Sequence, residues 1–312
     1  SVGHIKDLPK SKMGVDPDKG FKIDYQLIPG KKKIVDDLKK ASAGVPLLYL
    51  ATDPDREGEA IAWHINEELK DKGKKIHRVL FNSITKSAVQ EALKNPLKLN
   101  TDKFNAQQAR RVLDRLVGYK ISPLLWDKVK RGLSAGRVQS VALRLVVDRE
   151  TAVKAFKPEE YWEIEAVFSK DGIDFEAMLF KFNAKNPELG NRPAVDVLLN
   201  DLKAAQWKIQ SIEQKERSRK PTPPFITSRL QQDSARKLGF SAKKTMTLAQ
   251  KLYEGVDLGD LGTTGLITYM RTDSVRVEPA AIASVRDYIQ FRYGKEYLPT
   301  EPNIFKSKKS AQ

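Results

Sequence analysis

The spacing of hydrophobic and polar positions changes along the chain, and the first 97 residues have the pattern of an α/β domain. An apolar run over 45–52, bounded by glycine and then by Asp53-Pro54, is typical of a buried parallel strand. Apolar positions at helical spacing follow over 57–70, and a second strand (78–81) and helix (86–93) repeat the order. This order predicts a doubly wound sheet, whose site lies at the carboxyl ends of the strands, where Asp53 falls.

The rest of the chain is predicted to be helical, then strand-rich, then helical again. Helical spacing or charge patterning predicts helices over 105–117, 126–130, 138–150, 227–238 and 241–253. Period-two alternation predicts strands over 162–168, 175–182 and 207–213, and a short strand is expected over 266–270. With a boundary at the prolines of 221–224, we expect a multidomain α/β and α+β chain divided into residues 1–97, 98–158, 159–219 and 220–312.

Composition narrows the classes of partner and of metal site. Lys plus Arg number 56 and Asp plus Glu 40, a net charge of +16 that suggests a polyanionic partner, although a merely basic soluble protein would fit equally well. There is no cysteine and there are only three histidines, so a metal should be a hard cation held by oxygen. Neither a signal peptide nor an apolar stretch near the roughly 18 residues of a membrane span is apparent, so we expect a cytoplasmic protein without a membrane partner.

The sharpest local signal is the alternation of Asp53, Asp55 and Glu57 directly after the first predicted strand. In an extended turn alternate side chains point the same way, so the three carboxylates are expected to converge. Converging carboxylates repel one another unless a cation lies among them, and Mg²⁺ prefers oxygen ligands and binds phosphate. The alternative is an acidic helix start that favours the helix dipole.

A second candidate is Tyr269, two residues before Arg271. On the predicted strand over 266–270 the two side chains would share a face and could meet one phosphate. A phenol with its ordinary pKa of about 10 is a weak nucleophile at neutral pH, and a guanidinium can stabilise the phenolate or hold the phosphate. Taken alone, a tyrosine in an apolar strand is more often a core residue.

Two further segments have the residue types that bind phosphate. Arg111 and Arg115 lie one turn apart on one face of a predicted helix. Their spacing matches that of successive phosphates along a single DNA strand. An ion pair between Arg111 and Asp114 is the simpler interpretation. Residues 132–140 read as a small-residue turn into a helix, which could cradle a phosphate or be an ordinary helix start. Its candidate residues are Ser134, Ala135, Gly136, Arg137, Val138 and Gln139.

Two strings resemble one family. Residues 50–64 (L-A-T-D-P-D-R-E-G-E-A-I-A-W-H) resemble the Toprim domain of type IA DNA topoisomerases, and I-T-Y-M-R-T-D-S over 267–274 is similar, residue for residue, to the nucleophile motif of the bacterial members. Toprim domains also occur in primases, type II topoisomerases and nucleases, but the longer string and the tyrosine motif favour type IA. Residues 3–9, 105–115, 132–140, 221–232 and 241–246 also resemble the family, so the resemblance covers most of the chain.

The resemblance implies a reaction and a role for each candidate. Tyr269 would attack a DNA backbone phosphate, forming a 5′-phosphotyrosine and releasing a 3′-hydroxyl without ATP, and Arg271 would position the scissile phosphate. Mg²⁺ would be held by Asp53, Asp55 and Glu57. Single-stranded DNA would be bound by His4, Arg111, Asp114, Arg115, Ser134, Ala135, Gly136, Arg137, Val138, Gln139 and Arg271.

The resemblance also implies an architecture. A Toprim domain, a helical DNA-gripping segment, an arch of antiparallel strands and a helical tyrosine domain would surround a hole through which a second strand passes. The whole enzyme would be a monomeric, nucleoid-associated protein that relaxes negatively supercoiled DNA.

The sequence departs from the family pattern in ways that leave alternatives open. Family Toprim domains open with a strand that carries a glutamate and then a lysine, and we expect this chain to lack that strand as well as the C-terminal part of the family. Ser83 stands where a glutamate is expected. A chain that binds single-stranded DNA but cleaves it poorly is therefore one alternative, a non-catalytic binding module is another, and the topoisomerase module of a reverse gyrase is a third.

Overall fold

The structure, a computed structural model, describes residues 3–71 and 73–307 and divides the chain into two compact units. The first unit joins the chain up to Arg137 to the chain from Pro221 onward, and the second is Val138–Lys220. The four-part division expected from the sequence stays a prediction. In the described part of the chain, no helix is long and apolar enough to cross a membrane.

The α/β part of the first unit has the predicted strand and helix order. Its strands Leu47–Leu50 (β5) and Lys75–Arg78 (β6) pair in parallel, with Leu47 beside Lys75 and Leu50 beside Arg78. The second of these strands was expected at 78–81 and instead ends at Arg78. The elements up to residue 94 are β1 (Lys6–Asp7), β2 (Val15–Asp16), β3 (Lys22–Ile23), β4 (Gln26–Leu27), α1 (Lys32–Ala41), β5 (Leu47–Leu50), α2 (Arg56–Leu69), β6 (Lys75–Arg78) and α3 (Lys86–Lys94).

Two antiparallel pairs precede this part of the chain. Strand β1 pairs with β4, and β2 pairs with β3. Leu8, Val15 and Val112 are buried together in a small core, so these short strands pack against a helix further along the chain. That helix, α4 (Thr101–Lys128), is continuous, whereas two separate helices over 105–117 and 126–130 were expected. It passes through Pro123, whose ring nitrogen cannot donate a helical hydrogen bond, without ending there.

The second unit is built around one hairpin and one helix. Helix α5 (Arg137–Ala155) leads into it, β7 (Glu165–Lys170) and β8 (Ile173–Met178) pair antiparallel, and α6 (Arg192–Ala204) follows. Ile164, Leu189 and Val195 form its core. The strand expected over 207–213 is wrong, since residues 205–220 are described and are irregular. Alternation signals a half-buried face, but a strand also needs a neighbour to pair with, and Ile209 and Ile212 are exposed here.

The chain returns to the first unit with two helices, a two-stranded pair and a last long helix. These elements are α7 (Thr227–Leu238), α8 (Ala242–Glu254), β9 (Val256–Asp257), β10 (Thr263–Thr264) and α9 (Pro279–Tyr293). The short strand expected over 266–270 is wrong, because this segment is irregular. Its backbone donors bind carbonyls of separate segments, Leu266 N–H to Leu252 and Tyr269 N–H to Asn82, instead of forming a ladder with one strand. Helices α1, α6 and α9 were not expected from the sequence.

Candidate active site

Tyr269 lies in the irregular segment between β10 and α9, and its ring is buried. It packs with Ala249, Tyr253 and Met270, and the Tyr253 ring meets it edge-on with 5.2 Å between centroids. The Tyr269 N–H donates to the Asn82 carbonyl. Its hydroxyl donates to Asp55 Oδ2 at 2.7 Å, across 214 residues of sequence. The candidate nucleophile is therefore joined to the candidate acidic cluster by a direct hydrogen bond.

Arg271 reaches the same carboxylate oxygen. Its Nη1 lies 3.8 Å from Asp55 Oδ2, and 54% of its side chain is exposed to solvent. Tyr269 and Arg271 thus meet at one atom, although the strand that was expected to align them is absent from this described segment. Because about half of the Arg271 side chain is exposed, its guanidinium can bind a second anion beside the Tyr269 phenol.

The two tyrosines of this core ionise with difficulty. Burial, the hydrogen bond to Asp55 and the charges of the nearby carboxylates raise the pKa of Tyr269 far above its ordinary value, with Arg271 opposing. Burial raises the pKa of Tyr253 to about 12. Tyr269 is therefore a neutral phenol at physiological pH, and an attack by its oxygen requires an acceptor for its proton. The carboxylate of Asp55 is at hydrogen-bonding distance.

The three alternating carboxylates do not converge as expected. Asp55 caps α2 by accepting from the Gly58 N–H at 2.8 Å, so Glu57 already lies in the first helical turn. Successive helical side chains differ by about 100° instead of the 180° of extended chain, and Glu57 therefore faces elsewhere. Among the described residues, no group of three His, Asp or Glu side chains is arranged to hold a metal ion.

Each acidic side chain has its own surroundings. Glu57 Oε2 lies 3.2 Å from His4 Nε2 and accepts from Gln107 Nε2 at 3.1 Å. The contact from His4, with that from Gln107, lowers the pKa of Glu57 to about 2 against the effect of its partial burial. Asp53 and Asp55 remain electrostatically close, since burial and then the charge of Asp55 raise the pKa of Asp53.

A buried ion pair fixes the backbone beneath the acidic cluster. Arg78 and Glu59 are each 1% exposed, with Arg78 Nε 2.9 Å from Glu59 Oε2. Arg78 also donates to the carbonyls of Leu50, Val79 and Asp53, and Glu59 Oε1 accepts from the Asn100 N–H. This network joins the ends of β5 and β6 to the turn that carries Asp53. Sequence reasoning missed it, because isolated charged residues in strands and helices give no signal of burial.

The predicted DNA-binding arginines of α4 have partners within the protein. Arg111 binds Asp7 through two parallel contacts, at 2.8 and 2.7 Å, and not Asp114 as the simpler interpretation had it. Arg115 donates to the carbonyls of Pro9 and Lys12. Both side chains therefore hold the 7–12 segment on the helix. Their expected contact with phosphates would require exchange of these partners.

The glycine-containing turn leads into a helix as expected, but α5 begins at Arg137, one residue earlier than predicted. Arg137 Nε donates to Asp114 at 2.8 Å, and the Ala135 N–H donates to the Ser122 hydroxyl of α4 at 3.0 Å. One backbone donor of the predicted phosphate cradle is thus engaged. Ala135 is buried and Gly136 half-buried, and the remaining predicted residues are exposed: Ser134, Val138 and Gln139.

A cavity of about 320 Å³ opens beside the tyrosine hydroxyl. Lys103, from α4, lies at its wall and donates to the Pro54 carbonyl at 2.9 Å. The basic residues Lys103, Arg271 and Arg276 thus surround a space large enough for a phosphate group, with Asp55 and Tyr269 at its edge. The cavity is lined by Pro54, Asp55, Leu80, Asn82, Lys103, Thr268, Tyr269, Arg271, Thr272, Ser274, Arg276 and Glu278.

Comparisons with known proteins point to one family. A Toprim domain model matches residues 1–84, and a DNA topoisomerase model matches residues 98–312. Among solved structures, full-length topoisomerase I from Thermotoga maritima is 42% identical, with a TM-score of 0.77 over 96% of this chain and 49% of that one. The chain thus spans about half the length of the Thermotoga protein. The resemblance noted in the sequence is confirmed, and the chain belongs to the bacterial type IA DNA topoisomerase family.

Proposed function

We propose that the protein cleaves one DNA strand through Tyr269 and rejoins it, without ATP, and that the whole enzyme relaxes negative supercoils in this way. The observation that carries the proposal is the meeting of Tyr269 and Arg271 at a single oxygen of Asp55. A buried phenol, a proton acceptor and an exposed guanidinium beside a phosphate-sized cavity are the components that phosphoryl transfer to tyrosine needs.

The reaction follows from the contacts of these three side chains. The Tyr269 oxygen attacks a backbone phosphate as its proton passes to Asp55, with which it is already hydrogen-bonded. An O–P bond to tyrosine forms, the bond from phosphorus to the 3′-oxygen breaks, and the departing oxygen takes a proton from solvent. Arg271 neutralises charge on the phosphate. One phosphodiester replaces another, so attack by the 3′-hydroxyl reverses the reaction without an external energy source.

Toprim is a metal-binding fold, and two of the predicted ligands in this chain fit a divalent cation. Repulsion between Asp53 and Asp55 contributes to the raised pKa of Asp53, and Mg²⁺ bound by both carboxylates would relieve it. Glu57, the third predicted ligand, is held by His4 and Gln107 in this arrangement. When bound, the cation would stabilise negative charge on the phosphate.

The substrate proposed is a single-stranded segment within negatively supercoiled DNA, acted on by a monomeric, cytoplasmic, nucleoid-associated enzyme. The net charge of +16 and the basic residues Lys103, Arg271 and Arg276 at the cavity support a polyanionic substrate. The larger DNA-binding set stays a prediction. It comprises His4, Arg111, Asp114, Arg115, Ser134, Ala135, Gly136, Arg137, Val138 and Gln139.

Covalent capture tests the proposal. The chain is incubated with end-labelled single-stranded DNA and Mg²⁺, quenched with denaturant, and compared with Tyr269→Phe. We expect a covalent adduct that only Tyr269→Phe lacks. Tyr253→Phe is the matched control, because Tyr253 shares the same core and its hydroxyl donates to the Phe81 carbonyl and not to Asp55. DNA binding without any adduct would mark the chain as a binding module that does not cleave.

A further inference from the structure

One side chain of α7 holds the irregular segment over 265–272 (the nucleophile segment), which carries Tyr269 and Arg271. The Thr227 hydroxyl donates to the Met270 carbonyl at 2.7 Å and accepts from the Thr272 N–H at 2.9 Å. The Thr227 N–H donates to the Thr272 carbonyl at 3.0 Å. The peptide groups on both sides of Arg271 are therefore bound to a single residue 43 to 45 positions earlier in the chain.

The Thr227 hydroxyl does not serve its own helix in the usual way. A threonine at a helix start commonly caps it by accepting from an N–H two or three residues later. In α7 the cap position is Ile226, whose apolar side chain cannot accept a hydrogen bond. The neighbouring Thr227 directs its oxygen to Thr272 instead. The contact thus stabilises the nucleophile segment and not the start of α7.

The nucleophile segment depends on such contacts because it is irregular over 265–272. On its other side, the Tyr269 N–H donates to the Asn82 carbonyl and the Gly265 N–H to the Ile84 carbonyl. These bonds fix the backbone up to Tyr269, and those of Thr227 fix it from Met270 to Thr272. Arg271 itself is half exposed, so its position is set chiefly by the peptide groups beside it.

We propose that Thr227 is a positioning residue for DNA cleavage. Through the backbone it holds the Arg271 guanidinium beside Asp55 Oδ2, the oxygen to which the Tyr269 hydroxyl donates. The inference rests on the proposed function. Loss of the hydroxyl would let Arg271 move while Tyr269 and the DNA-binding surface stay in place. The rate of cleavage should therefore fall more than the affinity for DNA, because a displacement near 1 Å can cost as much as about 100-fold in rate.

Two substitutions separate the hydroxyl from the shape of the side chain. Thr227→Val keeps the shape and removes the hydroxyl, and Thr227→Ser keeps the hydroxyl. Thr245→Val is the matched control, since the Thr245 hydroxyl donates to the Ser241 carbonyl within the same turn at the start of α8. Each full chain is mixed with excess labelled single-stranded DNA and Mg²⁺, and adduct formation is followed over a range of DNA concentrations.

The expected result is a split between rate and binding. Thr227→Val should lower the maximal rate of adduct formation about tenfold and change the half-saturating DNA concentration less than about twofold. Thr227→Ser and Thr245→Val should stay within about twofold of the unsubstituted chain in both quantities. A Thr227→Ser variant as slow as Thr227→Val, or equal losses in rate and affinity, would overturn the proposal.

Amide hydrogen exchange over 268–274 keeps this test independent of the proposed function. If the unsubstituted chain forms no adduct, cleavage by this chain fails, but the positioning role is still decided. Exchange in this segment should be faster in Thr227→Val and unchanged in Thr227→Ser and Thr245→Val. Unchanged exchange in Thr227→Val would refute the role of Thr227 directly.

Discussion

Removing the charge of Glu59 should destabilise the first unit severely while changing almost nothing in shape. In Glu59→Gln the side chain keeps its size, but only one of its two polar atoms can still accept. Glu59 Oε2 receives Arg78 Nε, and Oε1 receives the Asn100 N–H. Whichever way the amide turns, one of these donors faces an NH₂ group, and the Arg78 charge stays buried without its counter-ion.

The size of the effect follows from the burial of the pair. Removing one partner of a buried ion pair typically costs about 3–5 kcal/mol, because the other charge remains desolvated. Arg78 and Glu59 are each 1% exposed, so solvent cannot enter to screen the loss. The three carbonyls that also accept from Arg78 retain part of its solvation, which places the expected cost near the lower end of that range. Even so, a loss of about 3 kcal/mol is a large part of the stability of a typical domain.

Hydrogen exchange across a urea series measures this loss within the first unit alone. Peptides from β5, α2 and β6 report the opening of this unit, and the midpoint should fall by about 1 M or more, given a urea dependence of up to about 3 kcal/mol per M. Asp196→Asn in α6 is the control, because its pair with Arg192 is exposed on both sides and should contribute less than about 1 kcal/mol. A fall in the urea midpoint of the first unit in Glu59→Gln that is no larger than the fall in the second unit in Asp196→Asn would show that the buried pair contributes no more than an exposed one.

Two other perturbations test the acidic turn and the buried histidine. Gly58→Ala should destabilise the protein, because a Cβ there would collide with the Asp53 backbone. Gly118→Ala should instead stabilise it by about 0.5–1 kcal/mol, because its Cβ meets only the Ala135 carbonyl at 3.9 Å and alanine favours the helix. Thermal unfolding should show a lower Tm for the first variant and a higher Tm for the second. Burial lowers the pKa of His64 to about 4, so the unfolded chain takes up a proton first as pH falls. Stability should be complete above about pH 6.5 and should decline by up to about 3 kcal/mol toward pH 4, and denaturant unfolding should show that His64→Phe reduces this decline.

The sequence predicted which residues meet at the site better than how they are arranged. Asp53 and Asp55 do follow a parallel strand, because a strand end is a local property of the chain. The meeting of Tyr269 with Asp55, 214 residues apart, was implied only by the family resemblance. The expected convergence of Glu57 failed, because α2 begins at Arg56 and turns the residue away. A difference of one residue in where a helix begins is enough to change which way a carboxylate points.

The partners of charged side chains were the least predictable feature. Arg111 was weighed against Asp114, three residues away, and instead binds Asp7, 104 residues away. The same limit applies to the missing strand over 207–213. Periodicity reports which side of a segment is apolar, whereas pairing depends on which distant segments fold beside it.

The contacts that hold α8 and the nucleophile segment to the Toprim part of the chain use backbone carbonyls. Phe81, Asn82 and Ile84 accept from Tyr253, Tyr269 and Gly265 through their main-chain oxygens. Every amino acid offers the same oxygen, so this alignment tolerates replacement of the side chains that accompany it. Ser83, where a glutamate was expected from the family resemblance, lies within the same stretch. The side chains of this stretch can therefore differ between relatives while Tyr269 stays within hydrogen-bonding distance of Asp55.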